Sequence, residues 1–387
     1  MRLLLLFFCL FFTKLNAEES CIPKHEYFPM EGKWVPKNDN GDIVLGMYSR
    51  MSPDGKYVLR SYSGLGLSQV TLMELISGQS NVVKYYETPF SNEAFPVQGS
   101  WRYLVDVGGQ HYLLDDIKKN QKKADKQFTG GIKGFYTVAS ELPGGKTDLH
   151  KIRSLSWPSG SDNVGGGDQG VGVLSNQIIS AKINNGTGSK VDSSKVFYMC
   201  SNLSKSDGNV MSLPMMSPTG IEFAAMPQNP KGSSPTMRIY SFGENNKDCN
   251  PVLNLDLAVA KVSFSYPVSE TNSLDAVLFY ASGNIGGRGN GVSFFERKTK
   301  KIFSLDDYDK KVRADSFPGF TADGRILYGA HWEECLNGNC IQKAGYIISD
   351  PFQSEDMRLF KEAYPEESKH FKKCITKNDI ENNPYKL

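Results

Sequence analysis

Along residues 35–350 the apolar positions come in short runs separated by clusters of Gly, Asn, Ser, Asp and Pro. Runs such as "QVTLMELIS", "NVVKYYET", "TMRIYSFG", "PVLNLDL" and "AGYIISDPF" are rich in β-branched and aromatic residues, and helical periodicity is almost absent before residue 350. That pattern predicts β-strands joined by tight turns. The runs "YVL", "VLFY" and "ILY" are continuously apolar rather than alternating, which predicts strands covered on both faces.

Three runs begin alike: "MSPDGKYVLRSY" (51–62), "MMSPTGIEFAAM" (215–226) and "GFTADGRILYGA" (319–330). In each, a bulky apolar residue (Met51, Met216, Phe320) precedes a hydroxyl residue (Ser52, Ser217, Thr321), and a turn glycine (Gly55, Gly220, Gly324) follows three positions later. Glycine supplies the left-handed backbone that such a turn needs. Fainter copies fill the gaps. "FPVQGSWRYLVDVGG" (95–109) has Trp101 at the glycine position, "SYPVSETNSLDAVLFYASG" (265–283) lengthens the turn, and "SLSWPSGSDNVGGGDQGVGVLS" (154–175) is the degraded candidate between them. Markers at 55, 101, roughly 165, 220, roughly 275 and 324 give a period of about 54 residues, within reach of the four-stranded repeats that build propellers.

"SPDGKYVL" and its two closest copies resemble the repeat of TolB-type and WD40-like β-propellers, a repeat also found in the propellers of prolyl-oligopeptidase-type enzymes. The resemblance covers most of residues 35–350 and implies an all-β, single-domain propeller. Six blades is the best count, with five or seven if residues 110–200 are divided differently. Unlike TolB, the chain leaves too few residues before the first strands for a separate α/β domain.

The ends differ from the middle. "MRLLLLFFCLFF", followed by the small Ala17, reads as a signal peptide over residues 1–17, too short for a membrane span. Residues 18–34 form an N-terminal segment. Residues 351–387 are a helical extension, which Pro365 should divide into two short helices with Met357, Leu359, Phe360, Tyr364 and Phe371 available for docking. Six of the seven cysteines lie beyond residue 17, an even number that favours disulfides in an exported chain. Sequence proximity suggests Cys335–Cys340 across the Asn-Gly of "CLNGNC", then Cys200–Cys249 and Cys21–Cys374. The competing reading of C-x4-C as half a metal site finds no second Cys or His pair at ligand spacing.

Charge changes this picture little. A formal net charge of +2 gives no argument for nucleic acid. The one basic run, "KKNQKKADK" (118–126), reads as a solvated loop or hairpin tip. Catalytic signatures are missing: no HExxH, no G-x-S-x-G, and "LPGGKT" (142–147) has Ser140 where a phosphate loop requires glycine. "GGGDQG" (165–170) matches a dinucleotide fingerprint only literally, in a turn-rich β context.

Two glycine-rich loops, 159–172 and 282–291, are candidates for a ligand lip through Asp162, Asp168 and Arg288, or are plain connectors. A calcium reading of Asp162 and Asp168 lacks the alternate-position carboxylates of an EF-hand. "GAHWEEC" (329–335) places His331, Trp332 and Glu333 where the last sharp repeat leaves its blade. Either they reach a rim or channel, or Trp332 is core and the glutamates are solvated.

These observations point to an exported, periplasmic or secreted, monomeric propeller with no cofactor and no catalytic or metal set. Its expected role is non-catalytic binding of a protein, peptide or glycan, with Asp168, Arg288, His331, Trp332 and Glu333 as candidate ligand-binding residues. The alternative is a polysaccharide hydrolase or lyase that gathers carboxylates such as Asp106, Glu222, Asp323 and Glu333 around the axis.

Overall fold

The computed structural model describes residues 20–383 apart from 31–36, 38–39, 42, 44, 47, 53–54, 65–66, 77–78, 87–94, 101, 108–109, 115–134, 142–149, 159–174, 182–196, 199–209, 229–235, 243–248, 256, 258–261, 270–272, 282–290, 306–310 and 315–316. Cys200, Asp162, Asp168, Arg288, the leader and the basic run 118–126 therefore lie outside the described residues.

The chain is a β-propeller. Strand β1 (His25–Pro29) stands apart from the first meander, which comprises β2 (Tyr48–Met51), β3 (Tyr57–Gly64), β4 (Leu67–Ile76) and β5 (Gln79–Tyr86). The second is β6 (Phe95–Gln98), β7 (Arg102–Val107) and β8 (Gln110–Leu114). The third is β9 (Phe135–Glu141), β10 (His150–Pro158), β11 (Ser175–Ala181) and β12 (Phe197–Tyr198). The fourth follows as β13 (Val210–Met216), β14 (Glu222–Gln228), β15 (Arg238–Phe242) and β16 (Cys249–Asn254), and the fifth as β17 (Ser263–Phe264), β18 (Ala276–Ala281), β19 (Gly291–Glu296) and β20 (Lys301–Ser304). The last is built from β21 (Arg313–Ala314), β22 (Gly319–Phe320), β23 (Ile326–Leu336) and β24 (Asn339–Ser349).

These strands form five hydrogen-bonded sheets. The largest has seven strands because β6 and β9 pair in parallel at Val97–Ala139 and Gln98–Ser140, fusing the second and third meanders. The structure therefore has five hydrogen-bonded sheets where the sequence period predicts six blades, because this pairing makes one sheet of two meanders.

The recurring turn has one construction. Ser52 N–H donates to Tyr57 O at 2.7 Å, Ser217 to Glu222 at 2.9 Å, Ser265 to Ala276 at 2.9 Å and Thr321 to Arg325 at 2.9 Å. The serine hydroxyls accept from the far side of the turn: Tyr57 N to Ser52 Oγ at 2.9 Å, Glu222 N to Ser217 Oγ at 3.1 Å, Ala276 N to Ser265 Oγ at 2.9 Å. Gly55, Gly220 and Gly324 have φ of 70°, 66° and 89°, the left-handed region glycine enters without steric cost. The hydroxyl of the repeat is therefore turn structure, not chemistry.

Two repeat assignments need correction. In the second meander the left-handed residue is Gly99, φ 74°, rather than the Trp101 position, because that turn is shorter. In the third, "SLSW" is not a turn but part of β10, paired with β9 from Ser154–Ala139 to Trp157–Tyr136. The marker position near 165 lies outside the described residues.

The core lies between meanders and is apolar on both faces of the second strands. Val58, Leu59, Phe223, Ala224, Val277, Leu278, Phe279 and Ile326 are all fully buried. The circle is closed by β1, which adds to the outer edge of β24 from His25–Ser349 to Pro29–Gly345. Gly345 is required there: a Cβ on it would meet Phe28 O at 2.1 Å. Gly345→Ala is expected to push β1 off its edge and lower unfolding free energy by about 3 kcal/mol. A urea midpoint equal to wild type would refute this close-approach account.

Helix α1 (Glu355–Ala363), α2 (Pro365–Ser368) and α3 (Lys377–Glu381) follow a 3-10 turn at Pro351–Gln353. Pro365 starts the second helix, as its fixed φ favours. Met357, Phe360 and Phe371 are buried against the fifth and last meanders, with Phe360 5.4 Å from the Phe303 ring; Leu359 and Tyr364 stay exposed. Cys374 is disulfide-bonded to Cys21 and Cys335 to Cys340. Cys249 is also disulfide-bonded, to a partner outside the described residues. No helix among the described residues is long and apolar enough to cross a membrane.

Candidate functional site

His331, Trp332 and Glu333 sit in the outer half of β23. Trp332 is fully buried, its ring 5.3 Å from Tyr27 of β1, and its Nε1–H donates to Glu334 Oε1 at 3.1 Å. Glu333 pairs with Lys311 Nζ at 2.8 Å and accepts from Gln342 Nε2 at 2.9 Å. His331 is half-buried in the ladder, opposite Ala344. The side chains thus tie β1, β23 and β24 together. Glu333 also lies near Cys335 and Cys340, but those sulfurs are bonded to each other and offer no thiolate to a metal.

The carboxylates raised for sugar chemistry are dispersed. Glu222 of the fourth meander makes a two-pronged pair with Arg297 of the fifth, at 2.8 and 3.0 Å. That guanidinium also approaches Asp275 at 3.7 Å, whose carboxyl burial pushes up. Asp323 is buried in the last repeat's turn, 2.8 Å from Arg325 Nη2. Glu333 is on the outer hairpin, and the side chain of Asp106 lies outside the described residues.

The convergent feature is at the axis. A narrow pocket there is lined by Tyr48, Ser49, Arg50, Pro96, Gln98, Met215, Val262, Ser263 and residues 317–320. They come from the inner strands of the first, second, fourth, fifth and last meanders, so the pocket is the central channel. It has room for a water molecule. Polar donors (Arg50, Ser49, Gln98, Ser263) and aromatic walls (Tyr48 stacked on Phe317 at 5.4 Å) share it.

Arg50 is held by the neighbouring meander. Nη1 donates to Val97 O and Ser100 O, the carbonyls of the second repeat's turn, and Nη2 donates to Gln98 Oε1 at 3.0 Å. The device recurs. Arg153 of the third meander donates to Gly220 O at 2.7 Å in the fourth repeat's turn and lies 4.3 Å over the Phe242 ring. Arg325 reaches from the last meander to Met51 Sδ at 3.9 Å, beside the first repeat's turn. Tyr103 adds a phenol hydrogen bond to Leu59 O at 3.2 Å, and burial pushes its pKa up, keeping it a neutral donor.

Sequence reasoning missed these arginines. Each binds a turn far away in sequence, and nothing local distinguishes Arg50 from a surface residue.

No family model matches the chain, and no curated protein matches it. Among solved structures, the chain is similar to TolB from Acinetobacter baumannii, at 18% identity and a TM-score of 0.38 over 67% of this chain and 53% of that one. It is also similar to oligogalacturonate lyase from Vibrio parahaemolyticus, at 11% identity and a TM-score of 0.42 over 88% of this chain and 100% of that one. A third likeness is to hydrazine synthase from Kuenenia stuttgartiensis, at 13% identity, TM-score 0.40, over 79% of each chain. The chain spans about half the length of the TolB it matches. At these identities the likeness concerns the fold, and the propeller assignment rests on the chain's own strand pairing.

Proposed function

We propose that this protein is an exported, non-catalytic binding propeller that takes its ligand at the mouth of the central channel. The observation that carries this reading is the convergence of hydrogen-bond donors and aromatic walls from five meanders on the axial pocket. Propeller channels and rims gather side chains from distant parts of the sequence onto a rigid frame, as binding sites require. The alternative glycoside chemistry needs two carboxylates about 5 to 10 Å apart on one open site. Glu222, Asp323 and Glu333 instead sit in three different ion pairs on the fourth and last meanders. Export is supported by the apolar leader pattern and by the Cys21–Cys374 and Cys335–Cys340 disulfides, which persist in oxidising compartments. The ligand is a protein, peptide or glycan met there.

The test is affinity capture from envelope extract with the mature protein, beside a glycan array scored for both binding and chain shortening. Retention of a partner, or array binding with intact glycans, is the expected result. Shortened or unsaturated sugar products would overturn the reading in favour of a lyase or hydrolase.

A further inference from the structure

The outer end of the β23–β24 hairpin carries a cluster that the channel does not use. Glu333 lies opposite Gln342 and Cys335 opposite Cys340 in the ladder. Side chains two residues apart share one face of a strand, so these two pairs stack on the same face. Trp332 and Glu334, bonded to each other, take the other face. A carboxylate oxygen of Glu333 and the two sulfurs lie within 4.8 Å of one another. None of the three residues lines the axial pocket.

Four ligands around zinc, with Zn–S about 2.3 Å and Zn–O about 2.0 to 2.2 Å, sit roughly 3.3 to 3.8 Å apart. The cluster is close to that size, and what closes it is the bond between its sulfurs. Both cysteines are exposed, and the bond joins positions only five apart. Exposed disulfides are the labile ones, because an incoming thiolate can reach a sulfur. Cys374, by contrast, is 6% exposed beneath the docked tail.

We propose that this hairpin end is a thiol-gated site for a thiophilic divalent cation such as zinc, closed as the disulfide and opened by a dithiol donor. One thiolate of the donor attacks Sγ of either cysteine, giving a mixed disulfide and a free thiolate on the other. The donor's second thiolate then displaces the remaining cysteine. The donor is oxidised to its own disulfide, and the hairpin gains two electrons and two protons. Metal binding releases those protons as Cys335 and Cys340 become thiolate ligands.

Glu333 is the third ligand. Its Oε2 pairs with Lys311 Nζ at 2.8 Å and its Oε1 accepts from Gln342 Nε2 at 2.9 Å. The Lys311 side chain is 71% exposed, and such surface pairs contribute little, so a metal displaces it at small cost. Gln342 remains as the outer partner that orients the carboxylate. Three protein ligands leave the fourth zinc position to water. Sequence spacing hid this set, because its third member is a glutamate two residues before Cys335 rather than a second Cys or His pair.

The test uses the mature protein with cobalt(II) as the probe, whose sulfur-to-metal and visible bands report tetrahedral thiolate ligation. Brief phosphine treatment is stopped when two free thiols per chain are titrated, and the phosphine is removed under argon. The reduced protein is expected to bind one cobalt per chain with those bands, displaced by zinc, and the oxidised protein to show none. Glu333→Gln should weaken cobalt binding at least about tenfold. Lys311→Ala removes the competing cation and should strengthen it a few-fold. A Cys335→Ser/Cys340→Ser protein given the same treatment should show no bands, which excludes the other cysteines as their source.

No bands in the reduced protein, bands that survive in the double serine variant, or unchanged cobalt affinity in Glu333→Gln overturns the proposal. So does peptide mapping that finds the two titrated thiols elsewhere, with Cys335 and Cys340 still joined. Partner capture is scored with the oxidised protein, so the channel reading stands or falls without this site.

Discussion

Replacing Cys21 and Cys374 together by alanine is expected to lower the unfolding free energy by about 4 kcal/mol, the largest loss from any disulfide in the described structure. The bond spans 353 residues, so it restrains nearly the whole unfolded chain, whereas Cys335–Cys340 spans only five. In the chain-entropy picture the cost of closing a loop grows with the logarithm of its length, so the short hairpin bond should contribute about 2 kcal/mol or less.

The native side of the argument points the same way. Cys21 adjoins Ile22, whose N–H donates to Ile375 O at 3.0 Å and whose carbonyl accepts from Gln353 at 2.8 Å. Asp350 joins this seam, accepting from Phe352 N, Gln353 Nε2 and Ile375 N at 2.9, 2.8 and 2.7 Å. The N-terminal strand, the last blade and the C-terminal helices therefore meet at one knot. Losing the disulfide frees β1 to leave the edge of β24 and opens the circle. Urea denaturation of the two double-alanine variants under non-reducing conditions checks this. Similar losses for the Cys21/Cys374 and Cys335/Cys340 variants would show that closure of the circle is not what the long bond secures.

How much of this was readable in advance depended on whether the cause was local. The turns at Gly55, Gly220 and Gly324 announce themselves because hydroxyl, turn and glycine all lie within a few residues. The apolar runs "YVL" and "VLFY" likewise showed burial on both faces, and Val58, Leu59, Val277, Leu278 and Phe279 are fully buried. In the third repeat "SLSW" reads as the start of a turn because of its Pro and Gly neighbours, yet pairing with β9 makes it strand. Cys335–Cys340 was legible by proximity and Cys21–Cys374 followed from the even count, but the closing role of β1 was not legible. A five-residue strand carries no sign of which edge it will join. The axial pocket was the least legible of all. Its lining comes from five separate repeats, which no local pattern joins.

Asp323→Ala is the second change with a large expected effect, about 3 to 5 kcal/mol, because it strips a buried cation of its main partner. Asp323 and Arg325 are 4% and 5% exposed. Asp323 Oδ1 accepts from the Thr321 hydroxyl at 2.6 Å and from Arg325 N and Nε at 3.1 Å each, while Oδ2 takes Arg325 Nη2 at 2.8 Å. Without the carboxylate, the ion pair left to Arg325 among the described residues is the one with half-exposed Glu26 at 3.2 Å. Burial alone would raise the Asp323 pKa, but the Arg325 charge and the hydrogen bonds outweigh it and hold the carboxyl below its ordinary 3.8. The sign follows. A carboxyl whose folded pKa is depressed contributes stability that is complete above its unfolded value, near 4, and is lost as pH falls through the lower folded value. Asp350 works in the opposite sense, since burial pushes its carboxyl up. The informative quantity is therefore the difference between wild type and Asp323→Asn, which removes the charge and leaves the shape. That difference should be constant from pH 7 to about 5 and shrink below about 4 as the wild-type carboxyl protonates. A gap that stays unchanged down to the acid transition would mean that the turn, rather than the ion pair inside it, holds the first and last blades in place.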